Sequence, residues 1–326
     1  MSNSLSNNTI KTYEYVFNHY VNNKYLLNPK KMIKHFNNLF LSDDTIRLCI
    51  SSILNYLKNN KELLKELNGN ELNKIMEEYH NILMEIKDKT EKELENHDNI
   101  KQEFIPEFND IIKIRDNYLN NINNNNLSNN KKLINYRKYL CSSLFTLHPP
   151  RRELDYSSML IMNNMNDYNK YISKFINIDN LPYYYNEDNN KDNFNLTKDK
   201  KINNNFYIKD LGLFIFWNYK TYKTYKVQII KVNKELNDII KEYIKVNNLK
   251  SGDLLFKGKN FHLLINETFK SPIYDNKPIS INALRHSYII NFYNNTKGND
   301  IINNIDELSK MMGHSIKMNM NYYKNK

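Results

Sequence analysis

The sequence is poor in cysteine and has no long hydrophobic run. Its two cysteines, Cys49 and Cys141, lie far apart. They suit a reducing compartment and read as small core residues, not as a bridge or a metal site. No stretch of about 18 apolar residues occurs, so no membrane-spanning helix is expected. The opening MSNSLSNNTIKTY lacks the basic-then-apolar pattern of a secretory signal, so an intracellular, non-secreted protein is expected. No internal repeat is found.

What the chain does have is apolar mass and unevenly placed charge. At 326 residues, with 40% hydrophobic and 13% aromatic content, it is globular and long enough for two domains. The net charge is +11. Residues 1–60 carry 7 basic and 3 acidic side chains, residues 61–130 carry 9 and 15, and residues 131–326 carry 31 and 18. A polyanion gripped from two sides accounts for basic ends around an acidic middle. An AT-rich genome accounts equally for the raw lysine count, but not for the acidic middle.

Helical spacing of apolar residues predicts helices over 8–22, 29–40, 43–58, 61–95 (broken near Gly69), 107–120, 131–147, 234–247, 281–293 and 305–313. The runs FYIKDL, LFIFWNY and YKVQIIKV within 205–232 are rich in β-branched and aromatic residues and predict strands. The Asn-rich NNINNNNLSNN, 120–130, reads as a linker. The expected architecture is mostly α with a small antiparallel β-sheet. It comprises an all-α domain over 1–120 with an acidic helical extension from about 61, a linker at 121–130, and an α+β domain over 131–326.

Four stretches carry candidate chemistry. In LHPPRRELDYSSM two prolines impose extended chain before Arg151 and Arg152. The spacing from Arg152 places Asp155 beside it on a helix, as a partner for its guanidinium; the alternative is a solvent-exposed basic pair. FIFWNYKTYKTYKVQII reads as a β-hairpin with Lys220 and Lys223 near its tip, either solvated or carried into a groove. In ISINALRHSYIINFY, Ser280 or Asn282 starts a helix with Arg285 in its first turn or so. A cation there opposes the helix dipole and calls for an anion or an acid. His286 is a packed or surface histidine. IDELSKMMGHS ends a helix at Gly313, the residue after its cap. His314 and Tyr323 are nine residues apart, on opposite sides of a straight helix, but the glycine break lets both face one site.

The ordered set Arg152, Lys220, Arg285, His314 and Tyr323, in the contexts PRRELDY, NYKTYK, NALRHSY, MGHS and NYYK, resembles the catalytic domain of tyrosine recombinases, the phage-integrase family. The Lys/Asn-rich composition looks more like the divergent members from large DNA viruses and virophages. The resemblance covers roughly 131–326, with a looser likeness of the helical N-terminal region to that family's core-binding, DNA-clamping domain.

The resemblance implies a site-specific recombinase or integrase, a DNA strand transferase, that cleaves and rejoins double-stranded DNA through a 3′-phosphotyrosyl link. It implies no metal, ATP or other cofactor, because that link stores the bond energy. It further implies a homo-tetramer on two synapsed sites, no membrane, and a location with the target DNA, in the nucleus or a cytoplasmic viral factory. Arg152 and Arg285 would bind the phosphate, Tyr323 would attack, Lys220 would protonate the leaving oxygen, and His314 would assist. Arg151, Lys223 and Tyr322 compete for three of these places. Asn282 stands where the family has His or Lys, as a phosphate ligand or only a helix cap, which leaves the general base open between His286, His314 and water. Only three residues follow Tyr323, where many relatives carry a further helix, so protomer contacts are expected elsewhere. A type IB topoisomerase and a DNA-binding protein with impaired catalysis are the rival readings.

Overall fold

A computed structural model describes residues 7–60, 69–95, 104–175, 202–258, 260–296, 299–316 and 320. The chain divides into two compact units, Met1–Gln102 and Glu103–Lys326. The predominance of helix follows the sequence expectation.

The first unit comprises α1 (Asn7–Tyr20), α2 (Pro29–Asn38), α3 (Asp43–Asn59) and α4 (Gly69–Glu95). Pro29 sits in the first turn of α2, and the Asn28 side chain accepts from the Lys31 N–H, so proline and cap start the helix together. Ser42 caps α3 in the same way through the Thr45 N–H. Met32, Phe36, Ile50, Ile53, Leu57 and Tyr79 are fully buried at the centre of this unit, and the Tyr79 hydroxyl donates to the Leu26 carbonyl at 3.0 Å. Cys49 lies in the same core.

Helix α2 ends in a Schellman turn: the Leu41 N–H returns to the Phe36 carbonyl and the Phe40 N–H to that of Asn37. The residue that must take positive φ is Phe40, at 53°. Glycine is the usual occupant, and a bulky side chain there is an outlier.

The second unit contains α5 (Phe108–Asn123), α6 (Asn129–Thr146), α7 (Glu153–Ser157), β1 (Met159–Met162), α8 (Met165–Ile172), β2 (Asn205–Ile208), β3 (Leu213–Phe216), α9 (Tyr222–Tyr225), β4 (Gln228–Lys231), α10 (Lys234–Val246), α11 (Phe261–Phe269), α12 (Ile281–Asn295) and α13 (Asn299–Met312). The domain division therefore needs correction, because α5 belongs here and the break falls near 102, not at 121–130. Ile111 and Ile114 are buried in this unit's core, and the Tyr118 hydroxyl donates to the Thr268 carbonyl. The Asn-rich stretch is only the turn between α5 and α6.

The sheet is also not purely antiparallel. Its order is β1-β2-β3-β4, with β1 parallel to β2 and the other pairs antiparallel. Strands β1, β2 and β3 are buried along their whole length. Met159, Ile161, Tyr207, Phe214 and Phe216 join the main core, while Leu160, Met162, Phe206, Ile208, Leu213 and Ile215 pack in a second cluster with Tyr168 and Ile172 of α8. A sheet covered on both faces shows no polar alternation.

Replacing Phe40, 93% exposed, by glycine removes backbone strain and loses no buried contact. Phe40→Gly should raise unfolding stability by about 0.5–1 kcal/mol in urea melts.

Candidate functional site

Helix α13 ends where the cluster of candidate residues forms. Its last four carbonyls have no partner within the helix. Two are closed by the turn itself: the His314 N–H returns to the Ser309 carbonyl and the Gly313 N–H to that of Lys310. Gly313 takes φ +64°, the place a Schellman turn reserves for glycine. The other two accept from arginines far away in the chain. Arg151 Nη1 donates to the Met311 carbonyl at 2.8 Å, and Arg285 Nη2 to that of Met312 at 3.2 Å. One residue on, the Gly313 carbonyl accepts from Arg152 Nη1 at 3.0 Å and from the Thr221 hydroxyl at 2.8 Å. Gln228 Nε2 donates to the Lys310 carbonyl from β4. Cations at a helix C-terminus meet the negative pole of its dipole.

Arg151 is held on every side. Its Nε donates to Asp155 Oδ2 at 2.7 Å, and its guanidinium lies 3.9 Å from the Phe216 ring centre and 5.0 Å from that of Tyr219. The expected partnership of Asp155 with Arg152 is thus corrected to Arg151. Helix α7 begins only at Glu153, with Arg152 as its cap residue, so both arginines are on extended chain, where helical spacing does not apply. Arg151 Nη2 is buried and has no hydrogen-bond partner among the described residues. A Cβ on Gly313 would come within 2.8 Å of it.

Arg285 is fully buried on α12, in its second turn rather than its first. The cap of that helix is Ser280, whose hydroxyl accepts from the Ala283 N–H; Asn282 is exposed in the first turn and does not cap. His286 and His314 are buried at 9% and 1% exposure. Burial pushes the Asp155 carboxyl up, while the guanidiniums of Arg151, Arg285 and Arg152 pull against it. Asp155 thus feels three guanidiniums, that of Arg151 in direct contact and those of Arg285 and Arg152 through their charge.

The hairpin between β3 and β4 carries Lys220 and Lys223, both exposed. Its start is not a polar tip: Trp217 and Tyr219 are buried. Tyr219 and Thr221, on either side of Lys220, both reach the cluster, through Arg151 and the Gly313 carbonyl. Tyr322 and Tyr323 lie outside the described residues. The structure thus gathers Arg151, Arg152, Arg285 and His314, with Lys220 on a loop attached to them.

Thr221, Gln228 and His148 were not foreseen. His148 is buried, its ring 5.6 Å from that of Phe214. Burial and then the charge of Arg151 push its pKa down to about 3, so it is neutral. No group of His, Cys, Asp and Glu able to hold a metal occurs among the described residues. No helix there is long and apolar enough to cross a membrane. No family model matches the chain, no curated protein matches its sequence, and no solved structure matches its fold.

Two outcomes are expected. Gly313→Ala forces a Cβ against Arg151 at positive φ and should cost about 1–3 kcal/mol in denaturant unfolding. The folded state refuses a proton that His148 accepts at 6.5 when unfolded, so its stabilising effect is complete above pH 6.5 and falls as pH drops toward 3. His148→Gln should flatten the pH dependence of urea unfolding in that window by about 1.4 kcal/mol per pH unit.

Proposed function

We propose that the chain is a DNA strand transferase of the tyrosine-recombinase type, acting on a phosphodiester held at the carbonyl end of α13. The observation that carries this reading is the convergence of Arg151, Arg152 and Arg285 on the carbonyls of Met311, Gly313 and Met312 at the end of α13, with the buried His314 next in the chain. Guanidiniums gathered at one place are suited to an anion with several oxygens, and they bind phosphate oxygens in pairs. The order of residue types in the sequence adds the nucleophile, Tyr323, and the acid, Lys220.

The division of labour follows from burial. Arg151 is sealed by Asp155, the Met311 carbonyl and two rings, and acts as a buttress. Arg152 is only half-buried and is the better placed of the pair to reach a phosphate. Arg285 is fully buried and donates to the Met312 carbonyl, so contact with a phosphate requires the end of α13 to shift. The Tyr323 hydroxyl attacks phosphorus, giving its proton to His286, His314 or water, and the 5′-oxygen departs with a proton from Lys220. A different 5′-hydroxyl then attacks the phosphotyrosyl link and frees the tyrosine. The excess of basic side chains in residues 131–326, 31 against 18 acidic, supports a nucleic-acid substrate. Assembly of four copies on two synapsed sites belongs to the same reading.

The test is trapping of a covalent protein–DNA adduct on nicked suicide duplexes drawn from the source genome. The wild-type chain should form the adduct, Tyr323→Phe should abolish it, and Arg285→Ala should slow it about 100- to 1,000-fold. Absence of an adduct on all such duplexes, from a folded wild-type protein, overturns the reading.

A further inference from the structure

The turn at Leu39–Phe40 runs against two elementary preferences at once. Phe40 occupies the positive-φ position of a Schellman turn, at 53°, where Gly313 does the same work at the end of α13 without strain. Its ring is also 93% exposed, next to Leu39 at 44%. Glycine would serve the turn better, and a polar residue would serve the surface better. Phe40 therefore contributes nothing to folding that explains its presence.

The surroundings indicate what such a side chain meets. From residue 15 to residue 42 the chain has no acidic residue and four lysines. Lys30, Lys31 and Lys34 are exposed on α2 and fall within an arc of about 100°, opposite the buried Met32 and Phe36. The two carboxylates that follow are already paired, Asp43 with Lys89 at 2.9 Å and Asp44 with Arg47 at 3.2 Å. An exposed apolar tip beside a one-signed basic helix matches a polyanion that also offers apolar faces, and duplex DNA has both phosphates and stacked bases.

We propose that Leu39–Phe40 is an apolar wedge that enters between base pairs of duplex DNA and bends it, while Lys30, Lys31 and Lys34 hold the flanking phosphates. Side chains of this kind partly unstack a base step, most readily a pyrimidine–purine step. The inference rests on the DNA-acting reading above and extends it to the first unit.

The experiment uses the full chain and a duplex with 2-aminopurine at a pyrimidine–purine step and a dye at each end. Wild type should raise aminopurine fluorescence and shorten the end-to-end distance. Phe40→Gly should melt no lower than wild type, yet lose both signals and bind about tenfold more weakly. The triple Lys→Gln variant at 30, 31 and 34 should lower the slope of log affinity against log salt by about 2 to 3. Unchanged fluorescence and bend with Phe40→Gly overturn the wedge. So does a DNA-free dimer dissolved by that substitution while the bend persists, which would make a second copy of the chain the occupant. A wild-type protein that traps the covalent adduct without unstacking the step removes the wedge and leaves the proposed function standing. One that neither binds nor traps DNA removes both.

Discussion

The second unit is organised by one unmet need, that of the carbonyl groups at the end of α13. A helix end buried without donors leaves polar groups dry, at a cost of about 1–3 kcal/mol for each. Here the donors are guanidiniums, and importing them imports charge. Arg151 then requires Asp155, two aromatic faces and a glycine that leaves room for its Nη2. One local shortage thus ties together the extended chain at 151–152, α12, the β3–β4 connection and the segment after α13. Breaking a buried charge pair of this sort is far more damaging than never having had one, so the parts are held as a unit.

The same arrangement links stability to chemistry. Groups that neutralise a helix end in this structure are also groups well suited to stabilise negative charge on a phosphate. Arg285 cannot be fully engaged by the Met312 carbonyl and fully available to substrate in one geometry. A recombinase built this way would exchange one set of acceptors for another as DNA binds. On the proposed reading, the cation–π faces of Phe216 and Tyr219 would hold Arg151 in place during that exchange.

Legibility in the sequence followed locality. Helices α1, α2, α3, α5, α6 and α10 are readable because an apolar period near 3.6 residues lies within one short window, joined in α2, α3 and α10 by a capping residue. Strand β1, MLIM, was not, because a strand buried on both faces has no alternation and four residues are too few to separate from helix. Its parallel pairing with β2 is non-local and leaves no local signature. Helix α11, FHLLINETF, was hidden by apolar residues all around its first turns. The types of side chain at the site were legible, and so was the glycine stop at 313. The choice of Asp155's partner was not, because both arginines precede the helix and its spacing does not govern them. His148 and Thr221 were missed because nothing short of the folded chain shows a ring nitrogen shut away from water or a hydroxyl beside a distant carbonyl.

The reach of these contacts has a consequence for biosynthesis. Arg151 and the Met311 carbonyl are 160 residues apart in the chain. At ribosomal speeds of about 5–20 residues per second, some 8–30 s pass between the emergence of the guanidinium and that of its acceptor. Asp155, four residues away, is the first companion the arginine meets during that wait, and Phe216 and Tyr219 follow some 65 residues later. The nascent chain therefore carries Arg151 and Arg152 without the helix end that gathers them, and the cluster can close only after residues 311–313 have emerged.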